Sequence, residues 1–228
     1  RLEREAQQQE AFKDPGSLKD PAQQQFMGLA LQLSSLMDDY RQYWEVEQAI
    51  RAAEAEADDL PRVKLTTTQG DITIELFENE APIATANMIS LVKDGYYDGI
   101  TFHRVLPGFM AQGGCPEGTG LGGPGYTIRC ECRQPNHRKH FRGSLSMAKT
   151  LAPDTGGSQF FLTFIPTDHL NGEHTVFGRV IEGVDVLGEL TRRNPKDDPN
   201  PPAPDKIIRA QVLRDRGHAY DFEKLPEK

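Results

Sequence analysis

The apolar pattern changes period at Pro61, and that change divides the chain into two regions that cannot share one kind of fold. Before it, Phe26, Ala30, Leu33, Met37, Tyr40 and Trp44 recur at steps of four and three, and Leu29, Leu36, Tyr43 and Ile50 widen the stripe. That spacing predicts an amphipathic helix. Asp20 and Pro21 supply an N-cap and a first-turn proline, and no further proline occurs until Pro61. The expectation is one long helix over residues 21–58, or two stacked ones broken at Gly28 or at Asp38-Asp39. A continuous helix would be ~57 Å long, more than one small domain can cover. Its stripe is therefore expected to lie against a second copy of the chain or a partner, or to fold back as a hairpin. Beyond Trp44 the stripe thins, and Ala52 to Asp59 reads as a solvated helix end.

After Pro61 the period falls to two. Val63, Leu65, then Gln69-Gly70-Asp71, then Ile72, Ile74 and Leu76 predict a strand, a turn and a strand. Ala81-Pro82 opens a helix that runs to Lys93 with Ala86, Ile89 and Val92 inward, and Gly95 ends it. Further strands are predicted at Phe102-His103-Arg104, Arg142 to Lys149, Ser158 to Phe164, His174 to Val180 and Lys206 to Leu213, with a short helix from Gly183 to Leu190. Five prolines between residues 194 and 205 mark an extended surface loop. These short, mostly antiparallel strands and the two helices suggest a closed barrel, a mainly β fold with an α-helical segment in front of it. The division expected is an acidic helical extension over 1–60, used for packing or dimerisation, a barrel domain over 61–216 and a polar tail over 217–228.

Charge follows the same boundary. Residues 1–60 carry a net −7 of the chain's −8, so the body is nearly neutral. Nucleic-acid binding needs a basic face, which neither region offers. No apolar run reaches the ~18 residues of a membrane span. The chain opens at Arg1 without Met, which we read as a processed or trimmed start, so a missing signal peptide leaves the compartment, cytoplasmic or periplasmic, open. Cys115, Cys130 and Cys132 are too few and too odd for a disulfide framework. Cys130 and Cys132 with His137 and His140 could be put forward as zinc ligands, but one intervening residue is shorter than the common patterns. No cofactor or metal is expected. Gly118-Thr119-Gly120-Leu121-Gly122-Gly123 has the form of a dinucleotide fingerprint, yet Pro124-Gly125 follows where a helix should begin, so it reads as a loop on the rim of a site.

Three segments carry chemistry. The first runs from Phe102 to Gly114: Arg104 among apolar neighbours, a Pro107-Gly108 turn, Phe109, Met110, Gln112 and a glycine pair. An arginine there is either a buried ion pair or a fixed guanidinium beside an apolar floor, suited to an apolar ligand with one amide to polarise. The second joins Gly143 to Ala148 with Gly157 to Thr163, and the third runs from His169 to Gly178. In this order and spacing the three resemble a cyclophilin-type peptidyl-prolyl cis-trans isomerase over about Arg62 to Arg216.

The resemblance implies an eight-stranded antiparallel barrel capped by a helix at each end, with a site on its outer face. It implies that proline-containing peptides and unfolded or partly folded clients bind there, that Arg104 donates toward the prolyl nitrogen, and that Phe109, Met110, Phe161 and Leu170 form the proline pocket. Gln112 would hold the substrate carbonyl and orient Arg104, and His174 would line the edge. Ala148, Lys149, Gln159 and Gly120 would border the substrate strand. His169 stands where many eukaryotic members carry a Trp that touches cyclosporin, which implies weakened binding of that drug. Lys149-Thr150-Leu151-Ala152 is bulkier than the run usual there and leaves the preference for the residue before proline open. Two other readings stand beside this one: a non-catalytic proline-binding module, and a metal protein built on Cys130 and Cys132.

Overall fold

The computed structural model describes the backbone of residues 21–227 and the side chains of residues 37–227. The chain divides into two compact units between Glu56 and Ala57.

In the first unit a single helix, α1, runs from Pro21 to Ala57 over 37 residues. It passes through Gly28 and Asp38-Asp39 without a break, so the hairpin alternative does not occur; one helical glycine costs only about 1 kcal/mol, too little to end so long an element. Asp20 and the stripe positions from Phe26 to Leu36 lie outside the side chains described. Met37 remains exposed, and Trp44 carries the Arg51 guanidinium 4.9 Å from its ring centre. The solvated end expected over Ala52 to Asp59 is only partly so, because Glu54 is buried and engaged with a partner, as a buried carboxylate must be. Among the described residues no helix is long and apolar enough to cross a membrane.

The second unit is built on eight strands: β1 Arg62–Thr67, β2 Gly70–Leu76, β3 Arg104–Leu106, β4 Met110–Gly113, β5 Ser144–Met147, β6 Phe160–Thr163, β7 Val176–Glu182 and β8 Ile207–Arg214. They form one antiparallel sheet in the order β3-β4-β6-β5-β7-β2-β1-β8. Its outer strands meet through the segments that precede them. Phe102 N–H donates to the Asp205 carbonyl at 2.9 Å and Ile207 N–H to the Ile100 carbonyl at 2.8 Å, with Thr101 bridging Lys206. For this reason the strand expected from Phe102 begins only at Arg104: Phe102 and His103 belong to the seam.

Inside lie Leu65, Ile72, Ile74, Leu76, Phe102, Phe160 and Phe177, all fully buried. Phe160 meets Tyr97 and Phe102 edge-on at 5.6 and 6.3 Å. In β2 the expected alternation fails, since Thr73 and Glu75 are buried as well. Glu75 is tolerated there because Arg62 and Arg179 donate to its two oxygens at 3.0 and 2.7 Å.

Two helices accompany the sheet. α2, Pro82–Lys93, has no cap from Ala81; instead the buried Glu131 carboxylate, far along the chain, accepts from Ile83 N–H and Ala84 N–H at 2.9 Å each. An anion at a helix N-terminus satisfies orphan donors and the macrodipole together. α2 ends as expected at Gly95, whose φ of 68° lets Tyr96 N–H return to the Leu91 carbonyl. α3 covers only Val186–Glu189, shorter than the sequence suggested.

Candidate active site

Strand register places the central side chains. Arg104 on β3 pairs with Gln112 on β4, Gln112 with Phe161 on β6, and Phe161 with Ser146 on β5. Residues opposite one another in antiparallel ladders project to the same face. A cation, an amide and a ring thus stand in one row, and Met110, two positions from Gln112, shares their face. Gly114 ends the row because nothing larger fits: a Cβ would lie 2.2 Å from the Ser158 carbonyl, at a φ of 86°. Arg104 is half-buried. Its Nε is enclosed with no partner, and no ion pair or hydrogen bond joins the guanidinium to any described residue.

Phe161 is held between two imidazoles. His140 stacks on it at 5.9 Å with the planes 4° apart, and His174 meets it edge-on at 5.5 Å. His140 is fully buried. Its Nδ1 lies 2.9 Å from Asn171 Oδ1 and its Nε2 2.9 Å from the Ser146 hydroxyl, which also donates to the Thr175 carbonyl at 3.1 Å. Burial drives its pKa down to about 4 against the opposing pull of Asn171. His174 Nδ1–H donates to the Met147 carbonyl at 2.9 Å, and burial lowers its pKa too, so both rings are neutral at pH 7. The 3-10 turn Asp168–Leu170 presents His169 and Leu170, and His169 lies 5.7 Å from the Phe109 ring.

Beside this apolar part runs a polar groove of about 750 Å³, lined by Gln112, Gly120, Ala148, Lys149 and Gln159 among others. Gln159 organises it. Its Nε2 donates to the Gly120 and Gly122 carbonyls, both at 2.9 Å, while its Oε1 accepts from Gln112 Nε2 at 3.0 Å. The glycine-rich segment is therefore the rim the sequence suggested, tied to the same amide pair that faces Arg104. The opposite rim is self-contained: Lys149 Nζ donates to the Thr150 carbonyl, the Thr150 and Thr155 hydroxyls bond at 2.9 Å, and Leu151 is fully exposed.

Of the residues expected at the site, Gln112, Gly120, Ala148, Lys149 and Gln159 line the groove. Arg104, Phe109, Met110, Phe161, His169, Leu170 and His174 lie outside it, on the β3-β4-β6 row and the 168–174 turn. Sequence reasoning missed His140, Asn171, Tyr126 and Glu227. His140 was read only as a possible zinc ligand, yet both its nitrogens are engaged behind Phe161; no cluster of three or more potential metal-binding side chains occurs among the described residues. Cys130 instead faces Asp154, its N–H donating to Oδ1 at 2.7 Å and its sulfur accepting from Asp154 N–H at 3.2 Å.

Residues 62–212 match the family described as cyclophilin type peptidyl-prolyl cis-trans isomerase/CLD. A peptidyl-prolyl cis-trans isomerase of Synechococcus elongatus is 55% identical over 151 residues, 66% of this chain and 95% of that protein. One from Helicobacter pylori is 54% identical over 128 residues, 55% of this chain and 77% of that protein. The crystal structure of a Cryptosporidium parvum cyclophilin type isomerase superposes with a TM-score of 0.63 at 34% identity, over 68% of this chain and 99% of that one. The same protein has been solved in the presence of the dipeptide Ala-Pro. The chain belongs to the cyclophilin-type peptidyl-prolyl cis-trans isomerases and is an isomerase of X–Pro bonds.

Proposed function

We propose that Arg104 drives the isomerisation, acting on a proline seated against Phe109, Met110, Phe161 and Leu170. Rotation about X–Pro must break amide resonance, a barrier of ~18–20 kcal/mol. The prolyl nitrogen has a free lone pair only when resonance is lost, so a donor aimed at it stabilises the twisted state more than the planar ones. An apolar surround disfavours the charge-separated planar amide at the same time. No proton is transferred. His174 in its neutral form is an edge of the pocket and not a general base, and Gln112, held by Gln159, offers the substrate carbonyl a partner.

The observation that carries this reading is the unpaired guanidinium: an arginine locked on an acid would not be free to aim its fork at the prolyl nitrogen. Its test is a proline-peptide isomerisation assay on wild type and Arg104→Ala. A loss of about 10²–10³-fold in kcat/KM is expected, and equal rates would sink the assignment. Peptide binding without rate enhancement in the wild type would favour the proline-binding module instead.

The groove bordered by Gly120, Ala148, Lys149 and Gln159 takes the residues preceding the proline. His169 in place of a Trp weakens cyclosporin binding, so His169→Trp should tighten it. Residues 1–60 serve as a separate packing or dimerisation segment, which a mass measurement in solution at several concentrations would test. Unfolded and partly folded chains are the clients this reading implies.

A further inference from the structure

The chain continues beyond β8, and its last described residues return to the substrate groove. Tyr220 and Phe222 pack against the core. Phe222 meets the Tyr126 ring at 5.9 Å, and Lys224 Nζ sits over that same ring at 4.5 Å. Leu225 then forms an antiparallel bridge with Thr127, through hydrogen bonds of 2.9 and 2.8 Å, and the Thr127 hydroxyl donates to the Pro226 carbonyl at 3.4 Å. Composition alone makes residues 217–228 a polar tail, yet Tyr220 and Phe222 are packed and Leu225 and Pro226 are paired. Its path brings Glu227 into the lining of the groove, while Lys224 is spent on the two aromatic rings.

Glu227 does not stand alone there. Its Oε1 lies 3.1 Å from where a Cβ of Gly123 would be, and the Glu117 carboxylate lies at about the same separation from the corresponding point on Gly122. Two carboxylates therefore rest against consecutive glycines of the rim that Gln159 holds in place. Leu121 on that rim is 91% exposed and also lines the groove, an aliphatic surface beside the acids. The cation on the groove, Lys149, is turned onto the Thr150 carbonyl. A long side chain with an apolar stem and a cationic head matches this pairing of leucine and carboxylates.

We infer that the returning segment sets Glu227 into the wall of the substrate groove, and that Glu227, with Glu117, selects peptides bearing Lys or Arg upstream of the isomerised proline. The inference rests on the reading of this groove as the seat of the residues preceding proline. Glu227 is a specificity-determining residue here; it has no part in the rotation itself.

The test uses the full chain and three peptides identical except for Lys, Gln or Glu two residues before the proline. Wild type should show a kcat/KM ratio for Lys over Glu of about fivefold at low salt, shrinking toward one as salt screens the carboxylates. Glu227→Gln should bring the low-salt ratio to about twofold. Glu223→Gln changes net charge equally but removes only the exposed contact of Glu223 with Arg129, so it should leave the ratio at the wild-type value. A ratio unchanged by Glu227→Gln overturns the inference. So does an equal fall in both variants, which would assign the preference to the acidic chain as a whole. If wild type fails to speed rotation in any of the three peptides, the isomerase reading falls first, and that outcome is distinct from a flat ratio at normal rates. Moving the Lys one position at a time along the peptide locates the residue the wall contacts; no preference at any position also overturns the inference.

Discussion

The apolar cleft around Phe161 and the polar groove beyond Gln112 adjoin, yet they are held in place by different means. Arg104, Met110 and Phe161 of the cleft sit on β3, β4 and β6 at fixed register, and Phe161 is backed by a buried imidazole. The groove is built from loops, secured by side chains reaching backbone carbonyls, above all Gln159 to Gly120 and Gly122. A strand row cannot shift by one residue without turning every side chain to the other face, whereas a loop can change sequence while its ends stay put. On the reading proposed above, the difference teaches a division of labour: the step common to all substrates falls to the rigid half, and discrimination among substrates to the adaptable one.

The comparison can be broken at four points. The largest effect is expected from Phe161→Ala, which removes the ring His140 and His174 both contact. It should cost about 3–5 kcal/mol of stability in denaturant titration, and a loss below 1 kcal/mol would show that the cleft is not rigid.

Acid should act on the same half. His140 and His103 are both buried, and burial brings each to about pH 4, with Arg193 and Arg104 assisting at His103. Their folded pKa lies below the unfolded value of ~6.5, so the unfolded chain binds more protons between the two. Their contribution is intact above pH 6.5 and fades as pH falls toward 4, by on the order of 2–3 kcal/mol per ring at the limit. Urea midpoints at pH 7 and 4.8 check this; a flat profile would remove the neutral imidazoles from the account.

Arg104→Lys keeps the charge and discards the planar fork, and should recover no more than about a tenth of wild-type kcat/KM. Full recovery would mean that charge alone suffices. The smallest effect belongs to the groove. Gln159→Ala unties the glycine rim and should raise KM by about three- to fivefold, one lost hydrogen-bond set, while kcat stays within about twofold. A fall in kcat without a change in KM would move Gln159 into the catalytic half.

How much of this could be read from the chain follows from the same distinction. Period-two runs such as Val63 to Leu76 and the Pro82 helix start announced their elements because each is a local pattern. Arg104, Gln112 and Phe161 were legible as contiguous motifs, and the register then brought them into one row. Glu75 misled, since its burial depends on Arg62 and Arg179, one of them 104 residues away. His140 misled for a like reason: nothing in its neighbours foretells Ser146, Asn171 and Phe161 around it. Glu131 at the start of α2 and Glu227 on the groove are long-range too, and no spacing rule connects them to their partners. Signals carried by adjacent residues survive in a sequence, while partnerships formed only by closure of the sheet do not.

That closure has one more consequence. β1 and β8 are neighbours, with Arg62 opposite Arg214, so the backbone enters and leaves the sheet at a single corner. A circularly permuted chain, joined by a short linker across that corner and opened in the proline-rich loop between residues 194 and 205, would retain every ladder of the sheet.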